Sequence, residues 1–220
     1  MKIKGVIFDM DGTLTDSERF ARSLTLKLFA EKGYPIDEQF YNRLIGVNRV
    51  SGIEILSEKT KDDKISDALF NFYSVKMAEA FANGEIDLKD GAVEIIDFLH
   101  CHKIPIALAT SANMEKVKAS FNSNNMEVLF DYIVTGDMVT NGKPDPEIFF
   151  KAADFMGVDI KSCLIIEDSI HGVDAALASG ATAIMVPDLL QPTKQQIKQG
   201  VIIKKDLFEV LDLIKQHVIL

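Results

Sequence analysis

Cysteine is scarce in this chain: Cys101 and Cys163 are the only two in 220 residues. A disulfide framework needs more, so reduced thiols are the expectation, with one disulfide left open. No apolar run approaches the length of a membrane span, so no membrane partner is expected. No basic–apolar–small signal pattern opens the sequence, because Asp9 interrupts the first apolar stretch at once. A cytoplasmic protein is the resulting expectation. Positive charge is also in short supply. Lys and Arg total 24 against 33 Asp and Glu, a net charge of −9. A nucleic-acid partner would want a basic face, so that class is excluded. Internal repeats and low-complexity tracts are absent. Oligomeric state is not written in the sequence, and a monomer is consistent with it.

What is present suffices for a large core. Hydrophobic residues make up 47% of the chain. The length fits one large domain or a core with a smaller insert. From about residue 92, helical and strand patterns alternate. Gly91–Leu99 has helical spacing of its apolar positions. Ile104–Ala109 and Cys163–Ile166 read as buried strands, Tyr132–Val134 as a short strand and Ala183–Val186 as another strand. Helices are predicted from Asn113 to about Phe121, from Asp145-Pro146 onward, over Gly172–Ala178 with Gly180 as terminator, and from Leu207 to about His217. Apolar strands alternating with helices indicate an α/β fold, a Rossmann-like parallel sheet covered on both faces. Residues 17–87 break the rhythm, being helical with no buried strand. They read as an inserted α-helical cap domain, with the core formed by 1–16 and 88–220. The linkers fall near Asp16–Ser17 and Gly84–Lys89.

The first strand, Val6-Ile7-Phe8, runs into Asp9-Met10-Asp11-Gly12-Thr13. On a strand, residues i and i+2 share a side, so Asp9 and Asp11 are expected to point together. Two like charges held that close disfavour joint ionisation. A cation or a division of roles resolves the conflict. In an open parallel sheet, ligands bind beyond the carboxyl ends of the strands. Thr110 and Ser111 follow the second core strand, Lys143 lies near Pro144 and Pro146 after the third, and Glu167-Asp168-Ser169 follow the fourth. The acids Asp9, Asp11, Glu167 and Asp168 would make one negative site. An oxygen-ligated hard cation such as Mg²⁺ suits them, and the absence of nearby His or Cys disfavours zinc. All four arginines lie in the first quarter of the chain. Arg19, Arg22 and Arg43 read as solvated helix charges. Arg49 follows Ile45-Gly46-Val47-Asn48 in a loop-like stretch where an anion could be met.

Asp9-Met10-Asp11-Gly12-Thr13, Thr110-Ser111, Lys143-Pro144-Asp145-Pro146 and Glu167-Asp168-Ser169 resemble, in order, the four motifs of the haloacid dehalogenase-like superfamily. The helical insert and the segment Gly172–Ala181 look like its β-phosphoglucomutase-like subgroup. The resemblance implies that Asp9 attacks phosphorus, forming an aspartyl-phosphate. It implies that Asp11 is the acid and then the base. Mg²⁺ would be held by Asp9, the Asp11 backbone carbonyl and Asp168, with Glu167 direct or through water. Thr110 and Lys143 join the catalytic set, while Ser111, Ala112, Gly46 and Arg49 bind substrate.

The reading is a Mg²⁺-dependent phosphatase acting on a small phosphorylated metabolite such as a sugar phosphate. The alternative is a sugar-phosphate mutase with the same core residues. Members of that kind resemble one another in carrying a His on the first cap helix, where this chain has Ala21. They also carry a basic residue before the cap Gly-Val, where it has Ile45. Dehalogenation conflicts with Asp11, since halide needs no proton. A non-catalytic relic conflicts with the complete set of motif residues.

Overall fold

A computed structural model of the chain describes residues 3–122 and 129–217. Its centre is a six-stranded sheet in the order β3-β2-β1-β4-β5-β6. The strands are β1 (Gly5–Phe8), β2 (Ile106–Thr110), β3 (Tyr132–Thr135), β4 (Cys163–Glu167), β5 (Thr182–Met185) and β6 (Ile202–Ile203). Every pairing is parallel. Val6 lies opposite Ile106 on one side and Leu164 on the other, so β1 is flanked by the two strands that carry the downstream motifs.

Alternation along these strands builds two cores. Val6, Phe8, Leu108, Leu164 and Ile166 face one side, packed by α5 (Ala92–Cys101) and α10 (Leu207–His217). Ile7, Ala107, Ala109 and Ile165 face the other, packed by α7 (Glu147–Met156) and α8 (Ile170–Ser179). Both faces are dry, which is why the strands read as continuous apolar runs rather than alternating ones. α6 (Met114–Asn122) follows β2, and Val117 from it joins the first core. Gly180 closes α8 in the left-handed conformation that its sequence position implies. The two cysteines are unpaired, Cys101 exposed on α5 and Cys163 buried at the start of β4.

Between β1 and α5 the chain forms α1 (Ser17–Glu31), α2 (Glu38–Asn42), α3 (Arg49–Thr60) and α4 (Asp63–Ala82). These helices bury their own clusters, one around Leu28, Phe29, Tyr41 and Leu56 and one around Met77, Ala80 and Phe81. The two connections to the sheet run side by side. The Asp16 amide donates to the Asp87 carbonyl and the Lys89 amide to the Leu14 carbonyl, both at 2.8 Å. Lys89 ties the pair further through Asp16 Oδ1 at 2.7 Å. The insert is therefore joined to the sheet by a two-stranded neck.

The sequence pattern does not reach α9 (Lys194–Gln199) and β6. β6 is too short for a periodicity. α9 does carry a legible signal, the capping box of Thr193 and Gln196, whose side chains each meet the other's backbone amide.

Leu164 is fully buried in the middle of the sheet. Leu164→Ala should lower stability by about 2–5 kcal/mol, read as a reduced urea midpoint with an unchanged slope.

Candidate active site

Asp9, Thr110, Glu167 and Asp168 sit at or just past the carboxyl ends of β1, β2 and β4. The Asp9 amide still donates to Ile166 O, at 3.0 Å, so its backbone continues the β1–β4 ladder. The chain then turns sharply, with Leu14 and Thr15 amides returning to Met10 O. Asp11 is thus off the strand, and the alternation expected for the pair does not apply. Asp9 faces the sheet's interior edge. Asp11 faces the insert, accepting from Ser17 Oγ at 2.8 Å and from Lys116 Nζ at 2.7 Å.

Lys143 links the strand ends. Its ammonium, 1% exposed, lies 2.5 Å from both Asp9 Oδ1 and Glu167 Oε1, and 3.1 Å from Ala109 O. Burial opposes its charge, but Asp9 and Glu167 win and hold its pKa above the usual lysine value. Glu167 is fully committed: Oε2 accepts from the Asp168 and Ser169 amides and from Ser169 Oγ, each at 3.0 Å. A Cβ at Gly172 would stand 1.8 Å from Glu167 Oε1, so only glycine leaves room for this carboxylate.

Asp9, Glu167 and Asp168 converge, with one oxygen from each inside a 4.8 Å cluster. Burial, then neighbouring Glu167, pushes the carboxyls of Asp9 and Asp168 well above their ordinary range. Three buried acids against one lysine leave an excess of negative charge. Among the described residues, Oδ2 of Asp9 and Oδ2 of Asp168 meet no donor, while Oδ1 of Asp168 accepts from Thr13 at 3.2 Å. Gly12 keeps this oxygen accessible, since a Cβ there would stand 2.2 Å from Asp168 Oδ2. All-oxygen donors, surplus charge and two open carboxylate oxygens fit a hard divalent cation.

The Thr110 hydroxyl accepts from the Ala112 amide at 3.1 Å, so these two residues form a turn at the end of β2. Ser111 Oγ donates to Gly46 O at 3.3 Å, bringing the insert onto the sheet's edge. Gly46 has φ +74°, and a Cβ there would stand 2.6 Å from Ser169 Oγ. Gly46, Ser111 and Ser169 are therefore packed together. Arg49 is placed differently from the sequence expectation. It opens α3 rather than lying in a loop, and its guanidinium is bound by Asp67 and Asn71 of α4, 5.1 Å from the Phe70 ring centre. Asn48 caps that helix, and this pulls Arg49 toward α4.

Three polar groups beside the motif residues escape sequence reasoning. Lys116, in the first turn of α6, pairs with Asp11. Glu18, in the first turn of α1, is half-buried and accepts from the Tyr41 hydroxyl at 3.1 Å. Burial first, then Asp11, raises its pKa to about 7, while Lys116 and Tyr41 pull the other way. Neither residue belongs to a readable motif. Asp188 lies three residues beyond the end of β5, and its side chain is 2% exposed.

The profile of the family described as haloacid dehalogenase-like hydrolase matches residues 6–186. A phosphorylated carbohydrates phosphatase from Thermotoga maritima is 32% identical over 217 residues, covering 97% of this chain and 99% of that protein. A hydrolase from Pseudomonas syringae has a structure similar at TM-score 0.84 and 25% identity, with 97% and 98% of the two chains covered. A putative β-phosphoglucomutase from Thermotoga maritima is similar at TM-score 0.74 and 28% identity, with 99% and 100% covered. The profile spans most of the chain, and the 32% identical Thermotoga maritima relative is covered over nearly its whole length, so the chain belongs to the haloacid dehalogenase-like hydrolase family.

Proposed function

We propose that the protein is a Mg²⁺-dependent phosphomonoesterase that hydrolyses a small phosphorylated carbohydrate through an aspartyl-phosphate. The observation that carries this reading is Asp9. One of its oxygens is fixed by Lys143, the other meets no donor among the described residues, and the carboxylate lies in a cluster with Asp168 at the end of the central strand.

In the first step the free Asp9 oxygen forms a bond to phosphorus as the ester P–O bond breaks. Asp11 gives its proton to the departing alcohol oxygen. In the second step a water attacks phosphorus, Asp11 takes the water's proton, and the Asp9–phosphorus bond breaks to release phosphate. Ser17 and Lys116 fix the two oxygens of Asp11. Lys143, Thr110 and the Ser111 amide hold the phosphoryl oxygens. Mg²⁺ would be held by Asp9, the Asp11 backbone carbonyl and Asp168, and would neutralise phosphoryl charge. Glu167, with both oxygens already bonded, would contribute charge and contact through water. Gly46 would close over the substrate, as a cap that excludes bulk water. Arg49 would stiffen that loop through α4. In this reading residues 17–87 are the cap, and 1–16 with 88–220 the catalytic core.

Hydrolysis is favoured over phosphate relocation by two positions. Ala21 packs against Met77, Ala80 and Phe81, and Ile45 packs with Leu28 and Phe29. Neither supplies a base or a cation. The relative named for phosphorylated carbohydrates supports the substrate class.

Asp9→Asn should reduce turnover of p-nitrophenyl phosphate and of sugar phosphates by roughly a thousandfold or more while the circular dichroism spectrum is kept. Retained turnover would refute the nucleophile. EDTA should silence the enzyme and added Mg²⁺ restore it, followed by phosphate release; a rate indifferent to chelator would remove the metal. Gly172→Ala should displace Glu167 from Lys143 and lower kcat by about tenfold or more, whereas an unchanged kcat would show that Glu167 is not needed in place.

A further inference from the structure

Asp11 has two tasks in the proposed reaction, and its two oxygens are held by different means. Ser17 Oγ donates to Oδ1 at 2.8 Å, and Lys116 Nζ donates to Oδ2 at 2.7 Å. Ser17 is buried and receives the Thr15 hydroxyl at 3.1 Å, while Thr15 Oγ1 also lies 3.2 Å from Met10 O. The Asp11 carboxylate is therefore gripped between a chain of hydroxyls on one side and a single ammonium on the other.

That ammonium is out of place for its helix. Lys116 lies in the first turn of α6, at the positive end of the helix dipole, where acids are favoured. Glu115 beside it follows that rule and Lys116 does not. The Lys116 amide donates to Asn113 Oδ1 at 2.9 Å, so the turn that carries it is fastened. Its ammonium stands 6.0 Å from the centre of the buried Phe81 ring, near the end of α4 on the insert. The side chain is 25% exposed, and among the described residues its ion pair is with Asp11. Helix stability gives no reason for a lysine here; the Asp11 carboxylate does.

The two partners differ in what they can do. An ammonium has donors and no acceptor, whereas a hydroxyl can turn and do either. Oδ2, facing Lys116, is kept as an acceptor. Oδ1 can carry a hydrogen, because the Ser17 hydroxyl can accept it and turn its own hydrogen toward Thr15 Oγ1.

We infer that Lys116 is a positioning residue for the acid–base group: it pins Oδ2 of Asp11 and leaves Oδ1 to exchange the proton. The inference rests on the phosphatase reading and adds to it the device that tells the two Asp11 oxygens apart. In the first step the proton on Oδ1 goes to the alcohol oxygen as its bond to phosphorus breaks. In the second step a proton of the attacking water returns to Oδ1, as the water oxygen bonds to phosphorus and the Asp9 bond breaks. Lys116 keeps its own protons throughout and acts through Asp11, not on the phosphoryl group. Without it the carboxylate keeps one hydrogen bond and can rotate, so the acid is no longer held toward the leaving oxygen.

The test uses leaving groups that differ in their need for a proton. Nitrophenolate departs unprotonated, whereas an alkoxide needs the acid. Phosphate release from p-nitrophenyl phosphate is compared with release from glucose 6-phosphate and 2-phenylethyl phosphate, all with Mg²⁺ present. Lys116→Met keeps the apolar stem and removes the donor. It should lower kcat/KM for the alkyl esters roughly tenfold or more beyond any loss for the nitrophenyl ester. Lys116→Arg, which keeps a donor, should recover most of that difference. An equal loss for all three esters in Lys116→Met would overturn the inference, since an ammonium that holds the phosphate or the fold serves every ester alike. So would no loss for any ester, or an arginine variant no better than the methionine one. An unaltered protein that hydrolyses the nitrophenyl ester and neither alkyl ester would also overturn it, because an acid held in place serves alkoxides. No phosphate release from any of the three would overturn the phosphatase reading and this inference with it.

Discussion

The site depends on one buried ammonium. Lys143 reaches Asp9 from one strand end and Glu167 from another, and it caps Ala109 O on a third. Asp9 and Asp168 are costly to keep charged so close to Glu167, since burial first and then the Glu167 carboxylate raise the pKa of both. One positive charge at hydrogen-bond distance offsets part of that cost and fixes which oxygens are used. It turns Asp9 so that one oxygen is held and the other is presented. The divided carboxylate is the feature from which nucleophilic chemistry follows.

Glycine makes this crowding possible. At Gly12 a side chain would strike Asp168, and at Gly172 it would strike Glu167. The acids are packed against backbone because nothing else is small enough to lie there. The arrangement has a consequence for the chemistry. Carboxylates seated on backbone have few rotamers left, so their positions are set before substrate arrives, as electrostatic preorganisation requires.

The insert completes the cleft from the other side. Gly46 rests on Ser169 and accepts from Ser111, while Leu189 and Leu190 of the core pack into the insert. A two-stranded neck holds the two together, and Lys89 ties it to Asp188.

Much of this was legible in the sequence. Apolar runs with no polar alternation told of a sheet covered on both faces, because a strand buried twice has no position left for a polar side chain. The rule that ligands gather at strand ends then located Asp9, Thr110, Lys143, Glu167 and Asp168. Asp9, Thr110, Glu167 and Asp168 hold positions at or next to paired strand ends, and pairing follows from local pattern. The insert resisted the same reading. Arg49 stood in a stretch that looked open, yet Asn48 starts a helix there and α4 takes the guanidinium. Glu18, Lys116 and Asp188 are ordinary surface-type residues in sequence. Only the packing of α1, α6 and the segment after β5 gives them their neighbours. The chain alone determined what sits on the sheet, since local spacing encodes it. The tertiary structure decided what faces the sheet, since contacts between elements far apart in sequence leave no period to read.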